Sequence, residues 1–333
     1  MCPSISIILA VYNGESYLLE QLDSIAAQSQ SFDELLIRDD GSNDQTIKLI
    51  DDWIAAHPDL PVQRLTEPKE NLGFTANFRT LLGKAKGDYI LLCDQDDRWY
   101  PHKIEALANA AKNCPQAGLI VSSFNFMDQD GNPFTVVQRK GLSNQNLITF
   151  RLEHPGGMNR VGLDQILDHN IGQGCTMLVR QDVAKKYLAA KNLPLPHDWA
   201  LAIIAALDDG LYYLDQPLMD YRIHQSNTTG LPQSKETSFF ALLNARLHQY
   251  LKAYYRTAPY QDKLNALQAL KQLNWSGWNQ TYQERLAFFE DYLKTVNQKS
   301  WQQFRHLKKS PQKQVLSQKD WLLLRAYLLF GKP

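Results

Sequence analysis

Short apolar runs alternate with stretches of helical periodicity over the first two thirds of the chain. Ser4–Val11 is such a run and breaks at Tyr12-Asn13-Gly14, which predicts a strand and a turn. Leu18, Leu19, Leu22 and Ile25 then recur at helical spacing within Ser16–Gln28. Glu34–Arg38 reads as a second strand closed by Asp39-Asp40-Gly41-Ser42. Ser42 with Gln45 three positions on has the form of a capping box for a helix over Asp44–Ala56. A short strand Pro61–Leu65, a turn at Asn71-Leu72-Gly73-Phe74 and a helix Thr75–Ala85 follow. Tyr89–Cys93 is a fourth strand, Pro101–Lys112 a helix and Leu119–Ser123 another strand.

Strands alternating with helices at this spacing predict an α/β fold with a mostly parallel sheet. Residues 125–168 are rich in Gly, Asn and Gln and read as long loops. Ile171–Arg180 resumes as a strand and Asp182–Leu188 as a helix. Pro196-His197-Asp198-Trp199 opens an apolar helix to Leu207, and Tyr212–Leu214 and Leu218–Tyr221 are the last predicted strands. Beyond residue 236 the texture becomes Leu-, Lys-, Gln- and aromatic-rich, with breaks at Ala258-Pro259 and Ser310-Pro311. We expect two modules: a catalytic α/β domain over 1–229 and a helical one over 230–333.

Charge sharpens that division. The whole chain is neutral, yet residues 234–333 hold 16 Lys and Arg against 6 Asp and Glu, leaving 19 against 29 for the rest. Such asymmetry suits modules with different partners, and nothing in the neutral total calls for nucleic acid. The cysteines Cys2, Cys93, Cys114 and Cys175 lack metal-ligand spacing and suit reduced thiols in a cytoplasmic protein. The chain enters its first strand at once, with no leader visible, and no run reaches the roughly 20 apolar residues of a membrane span.

The apolar run Tyr89–Cys93 ends in Asp94-Gln95-Asp96-Asp97, three carboxylates in four residues. A buried strand would deliver them at its carboxyl end, where open α/β sheets bind ligands. Strand alternation, if it persisted, would put Asp94 and Asp96 on one face and Gln95 on the other. Crowded carboxylates repel, and a hard divalent cation bound through oxygen would neutralise them. Asp97 has two candidate roles, a third ligand or the cap of the next helix; we favour the cap.

In this order the pieces resemble family 2 glycosyltransferases of the GT-A fold. The matching elements are Val11-Tyr12-Asn13-Gly14, Asp39-Asp40-Gly41-Ser42, Asn71-x-Gly73, Asp94-Gln95-Asp96-Asp97 and His197-Asp198-Trp199, within residues 4 to 227. The wording Cys93-Asp94-Gln95-Asp96-Asp97-Arg98-Trp99 is similar to the rhamnosyltransferase-like branch that builds bacterial surface polysaccharides. The resemblance implies a nucleotide-sugar donor, dTDP-L-rhamnose or a UDP-sugar. It implies Mn²⁺ or Mg²⁺ on Asp94 and Asp96, with His224 as a further ligand. Tyr12, Asn13, Asp39, Asp40, Asn71 and Gly73 would surround the nucleotide, and Asp94 and Arg222 the diphosphate. Asp198 would be the base of a single inverting displacement, which needs one carboxylate within reach of the acceptor hydroxyl. From the residues alone, Asp198 also reads as a helix N-cap, Asp40-Gly41 as a turn and His224 as a loop histidine.

From Trp301 to Pro333 there are seven Lys and Arg, one acid and an apolar end, Trp321–Leu324 and Tyr327–Phe330. That composition suits peripheral contact with an anionic inner membrane face, where a polyprenyl-diphosphate-linked acceptor would lie. It equally suits packing on the catalytic domain or on a second subunit. Rival readings are a sugar-nucleotide pyrophosphorylase, a haloacid-dehalogenase-like phosphatase and an inactive sugar-nucleotide-binding scaffold. The first needs a Gly- and Arg-rich first loop, where this chain has Tyr12-Asn13-Gly14-Glu15. The second needs its nucleophilic Asp on the first strand.

Overall fold

The computed structural model describes residues 3–66, 71–145, 147–224 and 253–330. The start of the helical module near residue 230 and the last residues of 301–333 lie outside them. The chain divides into two compact units, one of Met1–Lys191 with Pro196–Gly230 and one of Asn192–Leu195 with Leu231–Pro333.

The first unit runs β1 (Ile5–Val11), α1 (Leu18–Ala26), β2 (Glu34–Asp39), α2 (Thr46–Ala56), β3 (Val62–Leu65), α3 (Phe74–Lys84) and β4 (Tyr89–Cys93). It continues with β5 (Arg98–Trp99), α4 (Lys103–Asn113), β6 (Leu119–Met127), β7 (Pro133–Phe134), β8 (Met158–Arg160) and α5 (Leu163–Asp168). A 3₁₀ turn (Gly174–Thr176) leads into β9 (Met177–Arg180), α6 (Gln181–Ala189), α7 (His197–Leu207) and β10 (Leu211–Arg222). These strands form one sheet in the order β3-β2-β1-β4-β9-β6-β10-β5, with β7 on β6 and β8 on β10. β1, β2, β3 and β4 are mutually parallel, as are β6 and β10. β9 enters antiparallel between β4 and β6, so the sheet is mixed.

β1 is buried along its whole length, because helices cover both faces of the sheet. Ile5, Ile7, Leu9 and Val11 pack toward α1, α2 and α4 with Leu18, Leu22, Ile50 and Leu107. α3, α6 and α7 pack on one another, and α3 also packs on β1. Burying each such aliphatic side chain is worth about 1.5–3 kcal/mol, so the central strands are held firmly and their ends are well fixed.

Several boundaries differ from the sequence pattern. β6 continues to Met127 because Asn125, Phe126 and Met127 pair with the far half of β10. β10 is one strand rather than two, with register shifts on either side of Pro217, which has no N–H for the ladder. The stretch from Ile171 bends before pairing: Thr176 Oγ1 donates to the Gln173 carbonyl at 2.7 Å, and only Met177–Arg180 joins the sheet. The capping box is absent. Ser42 Oγ donates to Asp39, and the Gln45 N–H donates to Glu15 Oε2 at 2.9 Å.

In the second unit lie α8 (Ala253–Gln272), α9 (Gln280–Gln298), α10 (Trp301–Leu307), a 3₁₀ turn (Lys313–Val315) and α11 (Gln318–Phe330). Asn279 caps α9 by accepting from Thr281 and Tyr282 N–H groups, and Ser300 caps α10. Phe288, Phe289, Tyr292, Val296, Leu307 and Leu324 are buried in this unit. No described helix is long and apolar enough to cross a membrane.

Candidate active site

β1, β2 and β4 run parallel with Val11 beside Asp39 and Leu9 beside Cys93. Their carboxyl ends therefore emerge together, and the loops carrying Tyr12, Asp40 and Asp94 share one edge of the sheet. A crevice at this edge is where an α/β sheet binds its ligand.

Strand geometry stops at Cys93, and Gln95-Asp96 is a turn. Alternation along a strand thus does not orient the acids; the turn does. Gln95 holds it by accepting from the Tyr12 N–H at 2.8 Å and donating to the Tyr12 carbonyl at 3.0 Å. A Cβ on Gly14 would sit 2.6 Å from Gln95 Oε1, so glycine is what lets these two loops meet. Asp94 and Asp96 remain partly exposed. Burial, and then the charge of Asp96, push the Asp94 carboxyl up to about 7. His224, just past β10, places Nε2 2.7 Å from Asp96 Oδ2, with its ring 5.0 Å from that of Tyr17. The structure therefore brings Asp94, Asp96 and His224 to one turn. Two crowded carboxylates are oxygen donors that fit Mn²⁺ or Mg²⁺, and His224 meets this pair through its contact with Asp96.

Asp97 does not cap α4. That helix begins at Lys103 after His102, and the Asp97 side chain is fully buried. Its Oδ1 accepts from the Arg222 N–H at 3.1 Å, and its Oδ2 has no hydrogen-bond partner among the described residues. Burial, then Asp96 and Asp94, raise its pKa well above the ordinary carboxylate range. Ligand atoms of Asp94, Asp97 and Cys175 lie within 4.8 Å of one another.

On the neighbouring edge, Tyr12 is 48% exposed, with its ring available to a base. Asn13 takes a positive φ of 47°, accepts from the Asn43 N–H at 3.0 Å and donates its own N–H to Ser42 Oγ at 2.8 Å. The Gly14 N–H donates to Thr46 Oγ1 at 2.8 Å, completing the lacing of the first two loops. Asp39 ends β2 and accepts from the Gly41 and Ser42 N–H groups. Asp40 turns inward. It pairs with Arg38 at 2.6 Å and accepts from the N–H groups of Leu72 and Gly73 at 2.9 and 2.8 Å. Asp40 thus holds the Asn71-x-Gly73 loop and is itself buried. Gly73 starts α3 with φ 79°, a conformation that a side chain would strain.

Asp198 lies in the first turn of α7, where Pro196 is the cap. Its carboxylate accepts from the Trp199 N–H at 2.7 Å and from Asn170 Nδ2 at 3.1 Å. Burial pushes it up to about 6 against these hydrogen bonds, and its charge raises that of Asp94. Trp199 packs beneath, donating Nε1–H to the Ile166 carbonyl at 2.7 Å. Gly174 leaves no open room for an acceptor, because a Cβ there would meet His197 Nε2 at 3.0 Å.

Arg222 also faces inward and is 1% exposed. It pairs with Glu20 rather than Asp220 or Asp215, donates to the Asp96 carbonyl at 2.7 Å and lies 4.6 Å above the Tyr17 ring. Its role is to back the acid turn rather than to face a diphosphate. The sequence pattern assigns no role in the site to Glu20, Gln95, Lys103 or Cys175. Lys103 had a signal: it is in helical phase with the apolar Leu107, Ala110 and Ala111. The others join elements distant in sequence and had none.

Comparison with solved structures shows the GT-A fold. Residues 1–349 of S. aureus TarS, crystallised with UDP-GlcNAc, align at TM-score 0.57 and 15% identity over 99% of this chain and 82% of that one. The chain belongs to glycosyl transferase family 2, whose description matches residues 6–188. A dTDP-rhamnosyl transferase, RfbG, of Shigella flexneri is 27% identical over 73% of this chain and 81% of its own length. An uncharacterised Mycobacterium tuberculosis relative is 28% identical over 66% of this chain, which spans 58% of that protein. An uncharacterised glycosyltransferase of Rickettsia typhi is 26% identical over 75% of this chain and 73% of its own length.

Proposed function

We propose that this chain transfers a sugar from a nucleotide-sugar donor to a glycan hydroxyl, with inversion at the anomeric carbon. One observation carries the reading: the Gly174–Cys175 turn stands between the two acid groups, with a Gly174 Cβ position 3.8 Å from the Asp198 Cβ and the Cys175 thiol within 4.8 Å of carboxylate oxygens of Asp94 and Asp97. In the reaction the acceptor O–H gives its proton to Asp198 while its oxygen forms the new bond to C1. The C1–O bond to the diphosphate breaks, and the electron pair leaves with the nucleoside diphosphate. A Mn²⁺ or Mg²⁺ ion held by Asp94 and Asp96, with His224 beside them, would supply counter-charge to that leaving group. A base with a pKa near the working pH is suited to the proton transfer. Asn170 and the Trp199 N–H fix its orientation. Tyr12, Asn13, Asp39 and the Asn71–Gly73 loop would hold the nucleoside.

The donor we propose first is dTDP-L-rhamnose, supported by the RfbG likeness, with UDP-sugars next. The acceptor class is a growing surface polysaccharide carried on a polyprenyl diphosphate. Peripheral contact with an anionic membrane fits the second unit, where Trp301, Leu322 and Leu329 are exposed. There Lys308, Lys313, Gln318, Trp321 and Leu322 line a cavity of about 500 Å³.

A thermal-shift panel of dTDP, UDP and GDP with their sugar conjugates, with and without Mn²⁺, tests the donor class. A Mn²⁺-dependent shift with one nucleotide series is expected; no shift with any would overturn the reading. Binding without release of nucleoside diphosphate, once a glycan acceptor is added, would favour a scaffold instead.

A further inference from the structure

α4 opens with a charged residue in a sealed place. Lys103 is fully buried. Its Nζ donates to the Cys175 carbonyl at 2.7 Å, lies 3.1 Å from Met219 Sδ and stands 4.2 Å above the centre of the Trp99 ring. Taking an ammonium out of water costs several kcal/mol unless charge and hydrogen bonds offset it. Burial lowers this pKa to about 8, opposed by neighbours that include Asp97 and Asp94. A methionine would fill the same volume without the penalty.

What the ammonium grips explains its presence. Cys175 is the middle residue of the Gly174–Thr176 turn. The Cys175 thiol lies within 4.8 Å of carboxylate oxygens of Asp94 and Asp97, in the acid turn. A Cβ on Gly174 would lie 3.8 Å from the Asp198 Cβ, so the turn packs directly against the start of α7. The α-carbon of Gly174 packs so close to His197 that a Cβ would lie 3.0 Å from the ring. One three-residue turn is thus packed on one side against the carboxylates after β4 and on the other against His197 and Asp198 of α7. Lys103 fixes its central carbonyl.

We propose that Lys103 is a positioning residue, which sets the separation between the Asp94–Asp96 pair and Asp198 by anchoring the turn between them. This rests on the glycosyl-transfer reading of those carboxylates. An ångström of slack at this turn would leave the donor seated and misplace the base, and such displacements cost on the order of 100-fold in rate.

The test uses the full chain and whichever of dTDP-L-rhamnose, UDP-GlcNAc or GDP-mannose gives a Mn²⁺-dependent thermal shift. Donor Kd is measured by calorimetry with Mn²⁺, and turnover by nucleoside diphosphate release. Lys103→Met should keep donor Kd within about threefold while kcat falls on the order of 10- to 100-fold. Gly174→Ala disturbs the same turn from its other side and should give the same split. The double variant should lose little more than the worse single variant, because both changes loosen one element. Unchanged kcat in folded Lys103→Met, or Kd weakening in step with kcat, would overturn the proposal. If Lys103→Met does not fold, Gly174→Ala decides: wild-type turnover in it overturns the proposal as well. A wild-type chain that bound none of the three donors would instead defeat the glycosyl-transfer reading itself.

Discussion

Replacing His197 with leucine should make the fold less sensitive to acid. His197 is fully buried, stacked on Phe78 at 4.3 Å and 16°, with Phe74 edge-on at 5.0 Å. Neither ring nitrogen has a hydrogen-bond partner. Burial therefore favours the neutral ring and pushes its pKa from 6.5 to about 3. The unfolded chain regains the ordinary value, so between pH 6.5 and 3 it binds a proton that the folded chain refuses. Stability then falls with pH across that window, from full strength above pH 6.5. From pH 7 to pH 5 the loss from this one ring is about 2 kcal/mol. Asp94 and Asp198, raised to about 7 and about 6, act in the opposite direction, because they take up protons in the folded state first. The wild-type curve alone is thus not diagnostic. Those carboxylates are common to both chains and cancel in the comparison. Urea unfolding followed by tryptophan fluorescence at pH 7 and pH 5 should show a pH-dependent loss about 2 kcal/mol smaller in His197→Leu. Identical pH dependence in the two chains would refute the reasoning and mean that the ring can be protonated within the fold. The result bears on activity, since His197 begins the helix that presents Asp198.

Three further outcomes are expected. Asp198→Asn should lower kcat on the order of 10²–10⁴-fold and leave the Mn²⁺-dependent donor Kd nearly unchanged by calorimetry. In the wild type, kcat/KM should drop about tenfold per pH unit below an apparent pKa near 6, because the base must be ionised, and the variant should lack that limb. Asp96→Ala should weaken nucleoside diphosphate binding with Mn²⁺ present and leave metal-free binding unaltered in the same calorimetric assay. Gln95→Ala should raise the donor Kd about 3- to 10-fold, since it releases the Tyr12 backbone from the acid turn at a cost near 1 kcal/mol; an unchanged Kd would mean the loop is held without it.

The alternation of runs in the first 220 residues was enough to specify a layered α/β sheet, because strand and helix periodicities are local properties of side-chain order. Tyr89–Cys93 is a strand with those same bounds. The acids after it, the Asp-Gly turn and the carboxylate before Trp199 were legible as chemistry, since motifs of neighbouring residues survive in one dimension. Orientation was not legible. Asp39 and Asp40 are adjacent, yet one ends in a surface turn and the other in a buried pair with Arg38. Arg222 looks like a phosphate ligand in a line of text and is drawn inward by Glu20, 202 residues away. The antiparallel entry of β9, the Arg222 N–H on Asp97 and the ammonium of Lys103 on the Cys175 carbonyl all join segments remote in sequence. Such contacts exist only when burial forces each polar group to find a partner. The sequence by itself determined which groups this protein possesses, and the packing of the sheet decided which of them face the crevice.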